Sequence, residues 1–251
     1  MKRKIILLLL LLVSTVKAFT QIVNIEDKRF KKDTVGTFGQ INLGLNLVRN
    51  TSSILSFNTE LRVDVIEEDR TWLALGNYNL IKTGDESLVN AGFAHLRFGK
   101  ALSKYIKWEA FAQSQFDERL KMTFRGLLGT GPRFGLLKGK QQLFLGTLYM
   151  FEYNQINKGE RYFRDHRLSI SLSAQISLTP TFTIANTSYY QPILSTFGEA
   201  RLTSGTSVNL KITDRLSFSA AFNISYDGKI GDVDGVPNTV HRLINSIRWV
   251  F

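Results

Sequence analysis

Between Arg167 and Leu178 the chain alternates without a break. Leu168, Ile170, Leu172, Ala174, Ile176 and Leu178 are apolar, and Arg167, Ser169, Ser171, Ser173, Gln175 and Ser177 are polar. On a helix those apolar positions scatter around the axis, whereas on a strand they form one face. The same period runs through Leu55, Phe57, Thr59, Leu61, Val63 and Val65 against Ser56, Asn58, Glu60, Arg62 and Asp64. It returns in Leu216, Phe218, Ala220, Phe222, Ile224 and Tyr226, and in Ile41, Leu43, Leu45 and Leu47. Weaker alternation begins near Trp72, Asn90, Ile106, Met122, Gln142, Phe182, Leu202 and Val240. Together these segments predict about twelve strands of roughly 10–15 residues, longer than soluble strands and long enough to cross a bilayer at a tilt.

The breaks between segments sort into two sets. Arg49–Ser52, Lys82–Glu86, Asn157–Asp165, Leu194–Ala200 and Gly231–Asn238 fall at one end. Glu67–Asp69, Lys138–Lys140, Leu178–Pro180 and Thr213–Arg215 fall at the other and are shorter. Long loops outside and tight turns on the periplasmic side are the asymmetry of outer-membrane barrels. The fold class expected is therefore all-β, a transmembrane antiparallel up-and-down β-barrel. A soluble ligand-binding barrel would show the same period with its apolar face inward, so which face is buried decides between them.

Met1-Lys2-Arg3-Lys4 followed by apolar Ile5 to Val13, with Val16-Lys17-Ala18 ahead of Phe19, has the shape of a secretory signal. The expected organisation is a signal peptide over 1–18, a short periplasmic segment over 19–34 and an outer-membrane barrel over 35–251. The chain has no cysteine, which excludes disulfides, thiol catalysis and thiolate metal sites. Its formal charge of +11 falls to +7 once Lys2, Arg3, Lys4 and Lys17 leave with the signal. No basic run with interleaved aromatics accompanies that charge, so nucleic acid is not an expected partner; lipid and lipopolysaccharide headgroups are.

The last strand carries Leu243, Ile247, Trp249 and Phe251 on one face, ending on the aromatic. Trp249 and Phe251 resemble the terminal signal by which outer-membrane barrels engage their assembly machinery, a second expected partner. Trp72, Trp108, Tyr153 and Tyr190, near strand ends, suit interfacial girdles.

Three stretches carry a family resemblance: Ile22-Val23-Asn24-Ile25-Glu26, Trp72 to Asn79, and Trp108 through Phe116-Asp117 to Gly129-Thr130-Gly131-Pro132-Arg133. With them the chain resembles the salt-induced outer-membrane proteins that contain domain of unknown function 481, over roughly residues 35–251. The resemblance implies an outer-membrane barrel and brings no substrate or functional residue with it.

Chemistry-bearing motifs are sparse. Gly129 to Gly135 has neither dinucleotide nor P-loop spacing and is read as strand glycine. Asp232-Val233-Asp234-Gly235 starts like a calcium loop but lacks the distal Glu. His95, expected on the inner face, His166, expected in an external loop, and His241, expected outward near the rim, have no evident Ser partner. No catalytic residue, metal site or cofactor is expected, and the chain is not read as an enzyme.

The candidate site is the polar face. Arg62, Arg97, Lys107, Arg125, Arg133, Arg167, Arg201, Lys211, Arg242 and Arg248 point inward there, against Glu60, Asp64, Glu109, Asp117 and Glu152. An arginine or lysine at the lipid midplane costs about 2–4 kcal/mol, which assigns these residues to the lumen. The basic excess fits a narrow anion or small-solute channel; a lumen filled by ion pairs in a structural or stress-response barrel is the alternative, and an outer-membrane lipid-modifying enzyme a third. Solute, oligomeric state and whether the lumen is open are not set by the sequence.

Overall fold

The computed structural model describes residues 34–50, 53–137, 139, 141–156, 160–229 and 237–249. The signal segment, all of residues 19–33, the Asp232 to Gly235 run and Phe251 lie outside the described residues. Twelve strands follow one another: β1 Gly36–Arg49, β2 Ser53–Ile66, β3 Arg70–Thr83, β4 Glu86–Ala101, β5 Ile106–Asp117, β6 Met122–Leu137, β7 Gln141–Ile156, β8 Arg161–Thr179, β9 Phe182–Gln191, β10 Arg201–Lys211, β11 Leu216–Asp227 and β12 Thr239–Trp249. Each pairs antiparallel with its sequence neighbour in a single up-and-down sheet, ordered from β1 to β12. No described helix is long and apolar enough to cross a membrane.

The two faces are inverted relative to a soluble protein. Leu43 is 69% exposed and Ile247 73%, whereas Glu152 and Arg167 are 0% exposed. Register carries that inversion across the sheet: Leu45, Phe57, Leu128, Leu172 and Phe222 all fall on the apolar parity, and Arg97, Arg125 and Arg167 on the polar one. No second layer covers the polar face among the described residues; its side chains are buried because the sheet curls toward them. The reach from β10 to β7 requires that curvature, since Arg201 Nη1 lies 2.6 Å from Glu152 Oε2 across three inter-strand spacings, roughly 14 Å on a flat sheet. The chain is all-β, as the alternation predicts, and of the barrel class with the polar face inside.

Two expectations are corrected. Residues 161–165 belong to β8, which is 19 residues long, so the loop expected over 157–165 is shorter and His166 sits in a strand. β4, β6 and β7 are 16 residues each, beyond the expected length. The connection after β5 contains a 3-10 turn, Glu118–Leu120, with Asp117 as its cap: Asp117 Oδ1 accepts from Arg119 N at 3.0 Å and Leu120 N at 3.3 Å. The longest connections run from β9 to β10 and from β11 to β12, both at the end away from Gly36 and Trp249.

Apolar side chains also enter the interior. Leu73, Leu75, Leu148 and Met150 are buried on the polar parity, because β3 and β7 carry apolar residues on both faces. Gly129 makes room there for the Phe111 ring, which an added Cβ would meet at 2.3 Å. At Gly131 a Cβ would lie 2.4 Å from the Thr147 carbonyl oxygen, so β6 and β7 approach as closely as they do only over glycine.

Candidate functional site

Glu152, on β7, sits at the centre of the largest group of buried charges. Its Oε1 lies 2.9 Å from Arg125 Nε on β6, and its Oε2 accepts from Arg167 Nε on β8 at 2.8 Å and from Arg201 Nη1 on β10 at 2.6 Å. Arg201 Nε reaches on to Asp227 at the end of β11. Arg167 also approaches Asp165 at 3.4 Å, and Asp165 accepts from Lys229 Nζ at 2.7 Å, just past β11. Five strands and one connection are thus tied through one carboxylate and its neighbours. Charged groups are taken out of water without large loss only when paired this completely.

Arg167 has a second task. Its Nη1 donates to the carbonyl oxygens of Gln191 at 2.9 Å and Glu199 at 3.3 Å. These two residues flank the β9–β10 connection, so the guanidinium fork holds its two ends together. Leu168 N to Pro192 O and Leu194 N to His166 O extend the β8–β9 pairing beyond Gln191, and Ile193 is buried beside Arg167. The interior is therefore packed at the end that carries the two longest connections.

A second interior group lies nearer the other end, on β4 to β7. Arg97 Nη1 donates to Glu109 Oε2 at 2.9 Å, and its Nε donates to His95 Nε2 at 3.3 Å. An arginine only donates, so Nε2 accepts and the proton of His95 sits on Nδ1, which donates to Gln113 Oε1 at 2.9 Å. Phe111 stacks on His95 at 5.4 Å and lies beneath Arg97 at 5.0 Å. Arg133 lies over Phe144 at 3.8 Å.

The remaining expected residues share this face. Arg62 and Asp64 pair at 2.5 Å on β2, half-buried. Glu60 faces Asn42 at 3.5 Å, and Lys107 falls opposite Arg133. Lys211 pairs with Asp214 at 2.7 Å in the exposed β10–β11 turn, and that contact holds the Asp214 carboxyl below its usual range. Arg242 and Arg248 are on the same parity of β12 and exposed. Trp249 faces outward, 72% exposed. Sequence reasoning missed Asp165, Asp227 and Lys229; for the first the signal was there, since Asp165 continues the parity of Arg167 by two residues.

His166 is on the outward face of β8, its Nδ1 2.5 Å from the Tyr149 hydroxyl and its ring stacked on that tyrosine. His241 is also outward. Among the described residues no group of three His, Asp or Glu side chains could hold a metal ion.

The model of one family, described as protein of unknown function, DUF481, matches residues 41–241. The chain belongs to the DUF481 family. The match takes in β2 to β11 of this DUF481 chain entirely, all but the first five residues of β1 and only the first three of β12, and salt induction is no part of the family's description. No curated protein matches the DUF481 chain in sequence. Among solved structures it is similar to a NanC porin in a rhombohedral crystal form, at 12% identity and a TM-score of 0.48, covering 78% of this chain and 94% of that one.

Proposed function

We propose that this chain is an outer-membrane β-barrel whose interior is closed toward its longest connections by a structural ion-pair network. The observation that carries the reading is the inversion of its faces: fully buried Glu152 and Arg167 on one side, and exposed Leu43, Leu128, Leu172 and Ile247 on the other. Water does not reward an outer surface of that composition, whereas hydrocarbon does, and lipid forbids unpaired backbone, which a sheet of antiparallel strands closed into a barrel avoids. Trp72, Trp108 and Tyr190, exposed near strand ends, fit the interfacial girdles of such a protein. Lipid, lipopolysaccharide and the barrel assembly machinery are the partners this reading assigns, and no reaction is assigned.

Filling of the lumen is preferred to conduction because Arg125, Arg167, Arg201, Glu152 and Asp227 are each at most 2% exposed. An open pore lined by those residues would leave them wet. An anion path is the second reading, favoured by the exposure of Arg242 and, at the other end of β12, Arg248 on the inward parity. Reconstitution in planar bilayers separates the two. The closed reading expects no discrete conductance from the wild type at low voltage; discrete steps with a reversal potential on the anion side overturn it in favour of the channel.

A further inference from the structure

We propose that the outward face of β3 to β8 carries a lipopolysaccharide site, in which Arg164 and His166 take a phosphate of the lipid and an apolar groove beside them takes one acyl chain. The inference rests on the membrane reading and adds to it a place and a selectivity.

A groove of about 580 Å³ is open on the outer face of the sheet. Leu61, Gly76, Ala94, Ser114, Gly126 and Tyr153 follow one another along it, each the ladder partner of the next. The four between Leu61 and Tyr153 are small, and their neighbours are large. Leu96 and Leu128 bound the groove on one side. On the other, the Phe124 ring stands 3.2 Å from where a Cβ of Gly126 would be. Side-chain size alone makes the trough, on strands that stay paired.

Ladder and strand ends together give it a slope. The row runs square to the strands, and strands of a barrel tilt by about 35–45°. Measured from the short periplasmic turns, Leu61 stands five residues from the end of β2 and Tyr153 twelve from that of β7. Seven residues of tilted strand are roughly 15–18 Å of height, about the depth of one leaflet of a ~30 Å hydrocarbon core. The groove therefore starts high at Tyr153, at the end that carries the longest connections, and descends toward the middle of the bilayer at Leu61. That is the path of an acyl chain hanging from a headgroup in the outer leaflet.

Hydrocarbon of any lipid would fill such a groove; the group at its upper end selects the occupant. The ladder partner of Tyr153 is Arg164, whose guanidinium lies 6.0 Å from the Tyr153 ring and 5.6 Å from that of Tyr162. His166 is two residues on, roughly 6–7 Å along the same face. It bonds Tyr149 through Nδ1 and packs on Phe151 at 5.3 Å. With the Tyr149 hydroxyl donating to Nδ1, the ring proton is on Nε2, which then donates to an anion beside Arg164. From Leu168 to Leu178 the outward side of β8 is apolar, so these two positions are confined to its outer end.

Arg164 also differs from the interior arginines. Arg97, Arg125, Arg167 and Arg201 each pair with a carboxylate. Among the described residues Arg164 meets two tyrosine rings and no carboxylate. The carboxylates of β6, β7 and β8 are Glu152 and Asp165, and both are buried on the inward side. A guanidinium held at headgroup height without a carboxylate matches the paired oxygens of a phosphate. Charge thus picks an anionic headgroup, and height picks the leaflet. In an outer membrane that leaflet is built of lipopolysaccharide, whose lipid A carries phosphate and several acyl chains on one sugar backbone.

The full chain, folded in phosphatidylcholine vesicles and transferred to nonionic detergent, is titrated with lipid A and read by native mass spectrometry. The wild type is expected to hold a single lipid A. Arg164→Gln combined with His166→Gln is expected to weaken it at least about tenfold, the loss of a charge-assisted pair with phosphate. Ala94→Phe fills the groove without touching the head and is expected to weaken lipid A too, with the folded gel band kept. Arg215→Gln, which removes a charge at the opposite end between β10 and β11, is expected to change nothing. Phosphatidylglycerol bound as tightly as lipid A overturns the lipopolysaccharide assignment. An equal loss in Arg215→Gln reduces the binding to net charge and overturns the site, as does unchanged binding in the double variant or in Ala94→Phe. Vesicle flotation is read on the same samples: protein that floats but holds no lipid A refutes this site alone, and protein that stays soluble refutes the membrane reading.

Discussion

Glu152 offers two carboxylate oxygens to three guanidinium groups, and none of the four side chains is more than 2% exposed. Neutralising it is worse than never having built the group, because three buried cations then lose their common partner. Glu152→Gln is expected to cost about 3–5 kcal/mol, read as a lower temperature at which the folded, fast-migrating band converts on a gel. Added salt is expected to change this little, since buried pairs are weakly screened. Glycine positions make the opposite test, of crowding. Gly131→Ala pushes a methyl group against the Thr147 carbonyl oxygen, and a loss of about 1–3 kcal/mol is expected, whereas at Gly198, with nothing near its Cβ direction and no positive φ, an added methyl meets no such clash.

Among the strands and their connections, Arg167 links the β7–β8 pairing to the β9–β10 connection through two carbonyl oxygens. Lysine keeps the charge but not the planar fork. Arg167→Lys is expected to loosen residues 192–200 and to raise the rate of chymotryptic cleavage at the exposed Phe197, with the strands themselves still protected. The sequence exposed the strands well where one face was uniformly apolar, as in β2, β8 and β11. It was least informative in β3 and β7, where Leu73, Leu75, Leu148 and Met150 bring apolar groups to the inner face too. Lys158, Glu160, Arg161 and Arg164 give the stretch up to Asp165 the composition of a loop; yet β8 starts at Arg161 and the parity of Arg167 includes Asp165. That Glu152 reaches Arg201 could not be read from either strand, because the contact depends on how far the sheet curls between β7 and β10.

For the molecule as a whole, the inverted faces make a sharp contrast between substitutions. Leu128 is outward, 60% exposed and near the middle of β6. Leu128→Arg is expected to cost about 2–4 kcal/mol in vesicles, measured by urea titration of the folded band. Asn209→Arg, which places the same charge beside an interior cavity, is expected to cost less. Equal losses at the two positions would remove the distinction between lipid and lumen on which the membrane reading depends.

The ion-pair network also constrains the order in which the protein can be made. Glu152 arrives on β7 with Arg125 already behind it, but Arg201 and Asp227 come only with β10 and β11. Until then a half-inserted chain would hold these charges in hydrocarbon without their full complement of counterions. On the membrane reading the C-terminal strands are therefore needed before the earlier ones can leave water, and insertion is expected to be concerted rather than a hairpin-by-hairpin accumulation.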